Sequence, residues 1–545
     1  MGLLAVLALA IPRGAATAVP AQPRPNVVVL MTDDQSIHTL GAMPNVRALL
    51  ARQGTTFDRS FVSFSLCCPS RATFLTGQYA HNHHVRGNRL PFGGYEKLDK
   101  HEWLPVWLQR AGYRTIQLGK FLNGYGMGNP YEVPPGWDEW YTSVDPSTYR
   151  YYDYTFNENG VLHTYGADGD PAFYRTDFEG RRAEQIIDRV APSNQPFFFT
   201  FQFLAPHTAA PVEDDDPFDQ ATPARAPRHR GRFKDAPLPK PPSYNERDMS
   251  DKPRFIRRRR LISPAREASV RALYQQRLES LEAVDDAVAK VVAALTRAGE
   301  LENTLILFTS DNGFLLGEHR VPAGKILPYE PSIRVPLIMR GPGVPRGAHR
   351  RQLVTNADLA PTILDAAGAT PGRRQDGRSL FPLLRDSRLE WGRSLLIEGG
   401  FGGLHPFEAV RTYRYLYVRY RNRARELYDL RRDPYELRSL HKSRRYAKIR
   451  IQLDRRVRRL RRCKGRGCRA KPRVRMRLLP DVEGCVATVG GRGVVAVLFR
   501  SGRGASRDRR RPFARLVSGR RVRARVSLRA GDVVTLDRRL RGRCR

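Results

Sequence analysis

Cysteine is scarce in this chain and unevenly placed. The 545 residues hold six, and after the adjacent pair Cys67–Cys68 none occurs before Cys463. That excludes a disulfide-dense scaffold for most of the chain, and no Cys-x-x-Cys spacing marks a structural zinc site. Long apolar runs are missing as well: none approaches the length of about 18 residues that a membrane-crossing helix needs. Acidic residues are few beside the basic ones, 54 Asp and Glu against 94 Lys and Arg, for a formal net charge of +40. The imbalance is concentrated near the end, where residues 441–545 hold 36 Lys and Arg against 6 Asp and Glu. A basic field of that size draws polyanions such as sulfated polysaccharide, an anionic cell surface or nucleic acid, unless it only fills solvated positions.

What remains is ordinary globular material. A hydrophobic share of 41% is enough for a core, and the length predicts one large domain with a smaller one. Residues 1–18 read as a secretory signal: an apolar run from Leu3 to Ile11, then Ala16-Thr17-Ala18, although no Lys or Arg precedes the run. Export to a secreted, periplasmic or cell-surface location follows from that reading. The distal cysteines agree with it, since proximity would pair Cys463 with Cys468 and Cys485 with Cys544, one of three possible pairings.

The chain between these ends alternates strands and helices. Asn26 to Met31 is an apolar, β-branched run that reads as a buried parallel strand, and it stops at Thr32-Asp33-Asp34-Gln35. Two adjacent carboxylates there need solvent or a cation, or they cap the next helix. Asn303 to Phe308 repeats the pattern and stops at Ser310-Asp311-Asn312-Gly313. Together the two strand ends offer four oxygen-bearing side chains, a set that suits calcium or magnesium better than zinc or copper. Tyr113 to Leu118 ends in Gly119-Lys120, and Pro196 to Phe203 ends near His207. In open α/β sheets ligands gather outside the carboxyl ends of strands, so each of these is a candidate. Helices are expected over Pro44–Gly54, Trp103–Gly112, Glu179–Val190 and Arg271–Leu295. Residues 208–265, rich in proline and charge, read as a long surface excursion. His81, His83 and His84 read as surface or supporting residues.

The most specific stretch is Cys67-Cys68-Pro69-Ser70-Arg71, continuing to Leu75-Thr76-Gly77. It resembles the signature of the formylglycine-dependent sulfatases, within the alkaline-phosphatase-like superfamily. The resemblance extends over residues 25–440 through Gly119-Lys120, Ala205-Pro206-His207, Asp311-Asn312-Gly313, Gly324-Lys325, Asn356-Ala357-Asp358 and Glu426-Leu427-Tyr428-Asp429. It implies an α/β fold with a large, mostly parallel sheet sandwiched by helices. It implies too that a maturation enzyme oxidises Cys67 to 3-oxoalanine (formylglycine), reading Pro69 and Arg71. By the same resemblance the aldehyde hydrates to a gem-diol that attacks sulfur. Asp33, Asp34, Asp311, Asn312 and the modified Cys67 would hold one Ca2+. Lys120 and Lys325 would bind the sulfate, Arg71 would fix the diol, and His207 would assist the leaving alcohol. Where the family usually has Gly-Lys-Trp-His, this chain has Gly119-Lys120-Phe121-Leu122-Asn123, so Asn123 is a candidate substrate contact, as is His319. The Gly-Lys-aromatic-Leu-Asn form is similar to the branch acting on 6-sulfated N-acetylglucosamine of glycosaminoglycans.

Two rival readings stand beside this one: a phosphodiester or phosphonate hydrolase of the same superfamily, and a secreted polyanion binder whose Cys67 is never oxidised. After Leu440 the texture changes. Residues 441–470 read as a basic helical linker, and 471–545 as a small basic β module with short Val-rich runs between Gly and Arg. Sulfated polysaccharide is the expected partner, with no specific nucleic acid and no transmembrane segment.

Overall fold

The computed structural model describes residues 24–400 and 405–469, and the backbone of five short strands between 475 and 527. A ten-stranded sheet forms the middle layer. In chain order its strands are β1 (Asn26–Thr32), β2 (Thr55–Phe57), β3 (Arg114–Gly119), β4 (Glu139–Ser143), β5 (Tyr154–Glu158), β6 (Val161–Tyr165), β7 (Phe197–Gln202), β8 (Thr304–Ser310), β9 (Leu337–Arg340) and β10 (Ala348–Arg350). Across the sheet they run β10-β2-β9-β8-β1-β7-β3-β4-β5-β6. The central five, β8-β1-β7-β3-β4, are all parallel, while β9, β5 and β6 pair antiparallel with their neighbours. The expected α/β sandwich is present.

Period-two alternation explains the three layers. On one face Val27, Val29 and Met31 join Phe198, Leu305 and Leu307 in a core with α1 (Cys67–Thr76), α2 (Leu104–Arg110) and Leu359–Ala367. On the other face Val28, Leu30, Phe199, Ile306 and Phe308 meet α3 (Arg175–Val190) and α4 (Pro264–Arg297). α4 begins earlier than its apolar spacing predicts. Ser263 caps it, its hydroxyl accepting from the amide of Arg266 (3.2 Å), and Pro264 takes the first helical position. The helix expected over Pro44–Gly54 shortens to a single wide turn, Val46–Ala51, whose start is held by Asp285 of α4 through the amides of Asn45 and Val46 (both 2.8 Å).

The excursion 208–265 is not loose. Ala224, Ala226, His229, Leu238, Met249, Ile256 and Ile262 are buried, so apolar residues dispersed among the charges pin it down. A second, antiparallel sheet follows, β11 (Leu395–Gly399), β12 (Phe407–Arg411), β13 (Tyr415–Tyr420) and β14 (Arg425–Asp429). Helix α6 (Ala447–Leu460; the helix Leu359–Ala367 being α5) packs Leu453, Val457 and Leu460 against Leu396, Val410, Tyr417 and Leu427 of that sheet. Cys463 and Cys468 form a disulfide just beyond α6. The later strands pair antiparallel, Arg475–Leu478 with Cys485–Val489 with Val494–Leu498, and Phe513–Ser518 with Arg521–Ser527. The signal reading of residues 1–18 and the pairing of Cys485 with Cys544 lie outside the described residues. Among the described residues no helix is long and apolar enough to cross a membrane.

Candidate active site

Four adjacent parallel strands, β8, β1, β7 and β3, deliver one residue set from their carboxyl ends. Asp33 and Asp34 follow β1, Lys120 follows β3, His207 lies past β7, and Asp311 and Asn312 follow β8. Gly119 makes the exit of β3 possible: its φ is +94°, and a Cβ there would come within 2.2 Å of the Gln202 carbonyl oxygen. Cys67 stands at the first position of α1, facing this crevice, and Arg71 lies one turn further along the same helix. Lys325 arrives from the loop after β8.

These side chains touch. The Cys67 thiol lies 3.5 Å from Asp33 Oδ1, 2.9 Å from Lys325 Nζ and 3.9 Å from Lys120 Nζ. Lys120 pairs with Asp33 and Lys325 with Asp34. Arg71 holds Asp311 through Nε (2.9 Å) and Asp33 through Nη2 (3.3 Å), and gives Nη1 to Gln202 Oε1 (2.8 Å) and to the Lys120 carbonyl (3.2 Å). The guanidinium thus braces carboxylates and the β3 exit. Asn312 Nδ2 donates to Asp34 Oδ1 (2.6 Å), and the Asp34 amide to Asp311 Oδ1 (3.1 Å). His207 Nε2 lies 3.8 Å from Asp34 Oδ2, while its Nδ1–H donates to the Thr208 carbonyl (2.8 Å).

The residues present fit a hard cation. One carboxylate oxygen from each of Asp33, Asp34 and Asp311 comes together within 4.8 Å. Asn312 Oδ1 is buried with no hydrogen-bond partner, a neutral oxygen donor with unused capacity. An all-oxygen set of this kind suits calcium or magnesium. Asp33, Cys67 and His207 also meet within 4.8 Å, but two ammonium groups crowd that sulfur. Charge leads to the same conclusion. Burial and the neighbouring Asp33 push Asp311 up, a strain that a divalent ion would relieve. Burial alone would raise Asp33 too, but Lys120, His207, Arg71 and Lys325 hold it well below the usual carboxylate range. Three carboxylates face three fixed cations, Arg71, Lys120 and Lys325, so adding a divalent ion would leave the site positive and in need of an anionic ligand.

Burial, reinforced by Asp33 and only partly offset by Lys120 and Lys325, pushes the Cys67 thiol well above its ordinary value. A cysteine in that state is not a thiolate nucleophile. Burial, offset by Asp33 but reinforced by Lys120 and Lys325, brings His207 down to about 3. Neutral, and with Nδ1–H given to Thr208, the ring presents Nε2 to the site as an acceptor.

Three residues here carried no sequence signal. Tyr149 packs its ring against His207 (centroids 4.6 Å apart, planes tilted by 43°) and takes the Lys120 ammonium on its face at 4.4 Å. Gln202 receives Arg71. Arg277 reaches from α4 to the carbonyls of Asp34 and Pro206, bracing two strand exits at once. Asn123 lies beside the cluster and donates to the Tyr149 hydroxyl. His319 does not join it. The ring is 1% exposed, bonds Glu246 through Nδ1 (2.7 Å) and packs on Tyr329, so the structure gives no support to a substrate contact there.

Known proteins are similar to this chain in sequence and in fold. The family profile described as sulfatase matches residues 25–369, and one described as N-sulphoglucosamine sulphohydrolase, C-terminal, matches residues 317–463. The N-acetylglucosamine-6-sulfatase of Homo sapiens is 37% identical over 391 residues, 69% of this chain and 67% of that protein. A Caenorhabditis elegans homologue of the extracellular sulfatase Sulf-1 is 35% identical over 390 residues, 69% of this chain and 52% of that relative. The chain therefore matches about half the length of the second relative. A solved structure, in complex with its substrate D-glucosamine-2-N,6-O-disulfate, shares the fold with a TM-score of 0.65 at 24% identity, covering 80% of this chain and 97% of the other.

Proposed function

This chain belongs to the sulfatase family, and from that premise we propose that it hydrolyses a sulfate ester of a sugar, 6-sulfated N-acetylglucosamine of a glycosaminoglycan-like polymer. The observation that carries the proposal is the state of Cys67. It is fully buried, its thiol is held protonated, and it touches a lysine and a carboxylate at the centre of an oxygen-lined crevice. Left as cysteine, it has no nucleophilic use there. Oxidised to formylglycine by a maturation enzyme, residue 67 would supply an oxygen nucleophile from its hydrated aldehyde. Calcium held by Asp33, Asp34, Asp311 and Asn312 would supply the positive centre that acidifies and orients that oxygen.

The remaining work falls to the chain's own side chains. Lys120 and Lys325 flank residue 67 and would bind sulfate oxygens, offsetting charge that grows in the transition state. Arg71 keeps Asp33 and Asp311 in place, so the anion-binding and metal-binding halves stay in register. His207 is the proton-handling group nearest the mouth, its side chain 18% exposed where Asp33 and Lys120 are sealed. A substrate anion would favour its protonated form, which can then hand a proton from Nε2 to the leaving alcohol. The sugar assignment is supported by the Gly119–Asn123 stretch and by the name of the human relative. The Cys463–Cys468 disulfide supports an oxidising compartment, secreted, periplasmic or at the cell surface.

Mass spectrometry of the tryptic peptide Ser60–Arg71 tests the reading. The expected peptide is lighter by about 18 Da at Cys67, the thiol having become an aldehyde. Protein carrying that aldehyde is expected to release sulfate from N-acetylglucosamine 6-sulfate. An intact thiol in protein that still releases sulfate would overturn the mechanism, and matured protein inert to sulfate esters would overturn the function.

A further inference from the structure

Tyr149 is the aromatic residue at the mouth of the site, and its surroundings are built rather than incidental. The turn Ser147–Tyr149 that carries it is fixed from two sides. Arg175 of α3 donates to the Thr148 carbonyl (2.6 Å), and the Tyr149 carbonyl accepts from the Ala210 amide (3.0 Å). The same turn is tied to the Lys120–Tyr125 loop, because Asp145 accepts from the Gly124 amide (2.6 Å) and its own amide donates to the Tyr125 carbonyl (2.9 Å). The ring touches two groups of the site at once, the His207 ring, tilted against it at 4.6 Å between centroids, and the Lys120 ammonium, 4.4 Å from its centroid. Cys67, Asp33 and Lys120 are sealed, whereas Tyr149, like His207, keeps part of its surface open and within reach of an incoming molecule.

The hydrogen bonding at the phenol is incomplete. Asn123 Nδ2 donates to the phenolic oxygen, which leaves the phenolic hydrogen to be given elsewhere, and no acceptor for it occurs among the described residues. Asn123 is itself only 7% exposed, and its carbonyl oxygen has no partner. A buried asparagine bonded on one side only, beside a phenol with a free hydrogen, is a pair with unmade capacity next to the reacting centre. Burial pushes the phenol up to about 12, so it stays a donor throughout any working pH.

Resting on the sulfated-sugar reading above, we propose that Tyr149, positioned by Asn123, is a substrate-binding residue that recognises the sugar rather than the sulfate. Its hydroxyl donates to a ring hydroxyl or ether oxygen close to the sulfated carbon, and its ring lies against the sugar. An aryl sulfate can use the ring but offers no such oxygen. A site that hydrogen-bonds a substrate hydroxyl discriminates strongly against a ligand lacking it.

The test compares two esters, N-acetylglucosamine 6-sulfate and 4-nitrophenyl sulfate, on matured protein whose aldehyde has been confirmed by mass. Y149F keeps the ring over Lys120 and against His207 and removes only the hydroxyl. The expected result is a fall of about 10- to 100-fold in the ratio of the two kcat/KM values, sugar over aryl, carried mainly by the sugar ester. N123A, which frees the phenol from its holder, is expected to move the ratio the same way by a smaller factor. If kcat/KM falls equally for both esters, or for neither, the proposal is overturned and Tyr149 only supports Lys120 and His207. A wild type that turns over the aryl ester but not the sugar overturns the sugar reading itself, and this inference with it.

Discussion

At Asp34 two demands fall on one residue. Its backbone lies in the left-handed region, with φ at 67°, and its carboxylate sits among the other oxygen donors, bonded by Asn312 and Lys325. Asn adopts that backbone almost as readily as Asp, whereas Ala pays about 1 kcal/mol. D34N and D34A should therefore separate the two demands. Both are expected to weaken calcium binding about tenfold or more, since each removes a charged oxygen from a set of four donors. Only D34A should also lose about 1 kcal/mol of stability relative to D34N, read by urea unfolding of the metal-free protein. A calcium titration left unmoved by D34N would take Asp34 out of the metal set. Equal stability of the two variants would show that the left-handed backbone carries no strain.

Among the elements, α1 is the one whose position matters most, because it presents Cys67 at its start. Its far end is clamped. Asp376 accepts from the amides of Tyr79 (2.8 Å) and Gly465 (2.7 Å), and His81 bridges Glu398 of β11 (3.1 Å) and the carbonyl of Cys463 (2.9 Å). Burial alone would lower the basicity of His81, but Glu398 outweighs it and raises the imidazole above its ordinary value of 6.5. A raised cation contributes stability that is fully present below pH 6.5 and is lost as pH rises through the folded value. Wild type should therefore lose unfolding free energy as pH climbs from 6.5, and H81Q should lose less over the same range. Parallel pH profiles for the two proteins would show that His81 is not the titrating clamp. The strand-end residues of the site were legible because an apolar run that stops at Asp, Lys or His is a local signal. Tyr149, Gln202 and Arg277 were not. Tyr149 reaches the site only because β4 lies beside β3. Gln202 merely ends an apolar strand, and Arg277 reads as a surface position midway along α4. His319 drew attention only by its closeness to Lys325 in sequence, whereas in the fold its ring packs on Tyr329 and bonds Glu246.

For the whole molecule, the boundary between catalysis and the basic tail can be drawn from packing rather than charge. Charge changes at about Leu440, yet α6 beyond it buries Leu453, Val457 and Leu460 on the second sheet, and the disulfide loop beyond α6 anchors His81 and Asn82. Burying an aliphatic side chain stabilises by roughly 1.5–3 kcal/mol, so three of them amount to a large part of an ordinary domain's stability. Two truncations should then behave differently. Removing residues 470–545 takes away basic chain without touching α6, and is expected to keep hydrolysis of a small aryl sulfate while retention on heparin falls. Removing residues 441–545 also takes away α6 and the clamp, and is expected to lower the thermal midpoint steeply and lose hydrolysis as well. If both truncations keep their activity, the core does not need α6. If the shorter deletion leaves heparin retention unchanged, the basic tail fills solvent without binding polyanions, and the affinity resides in the chain before residue 470.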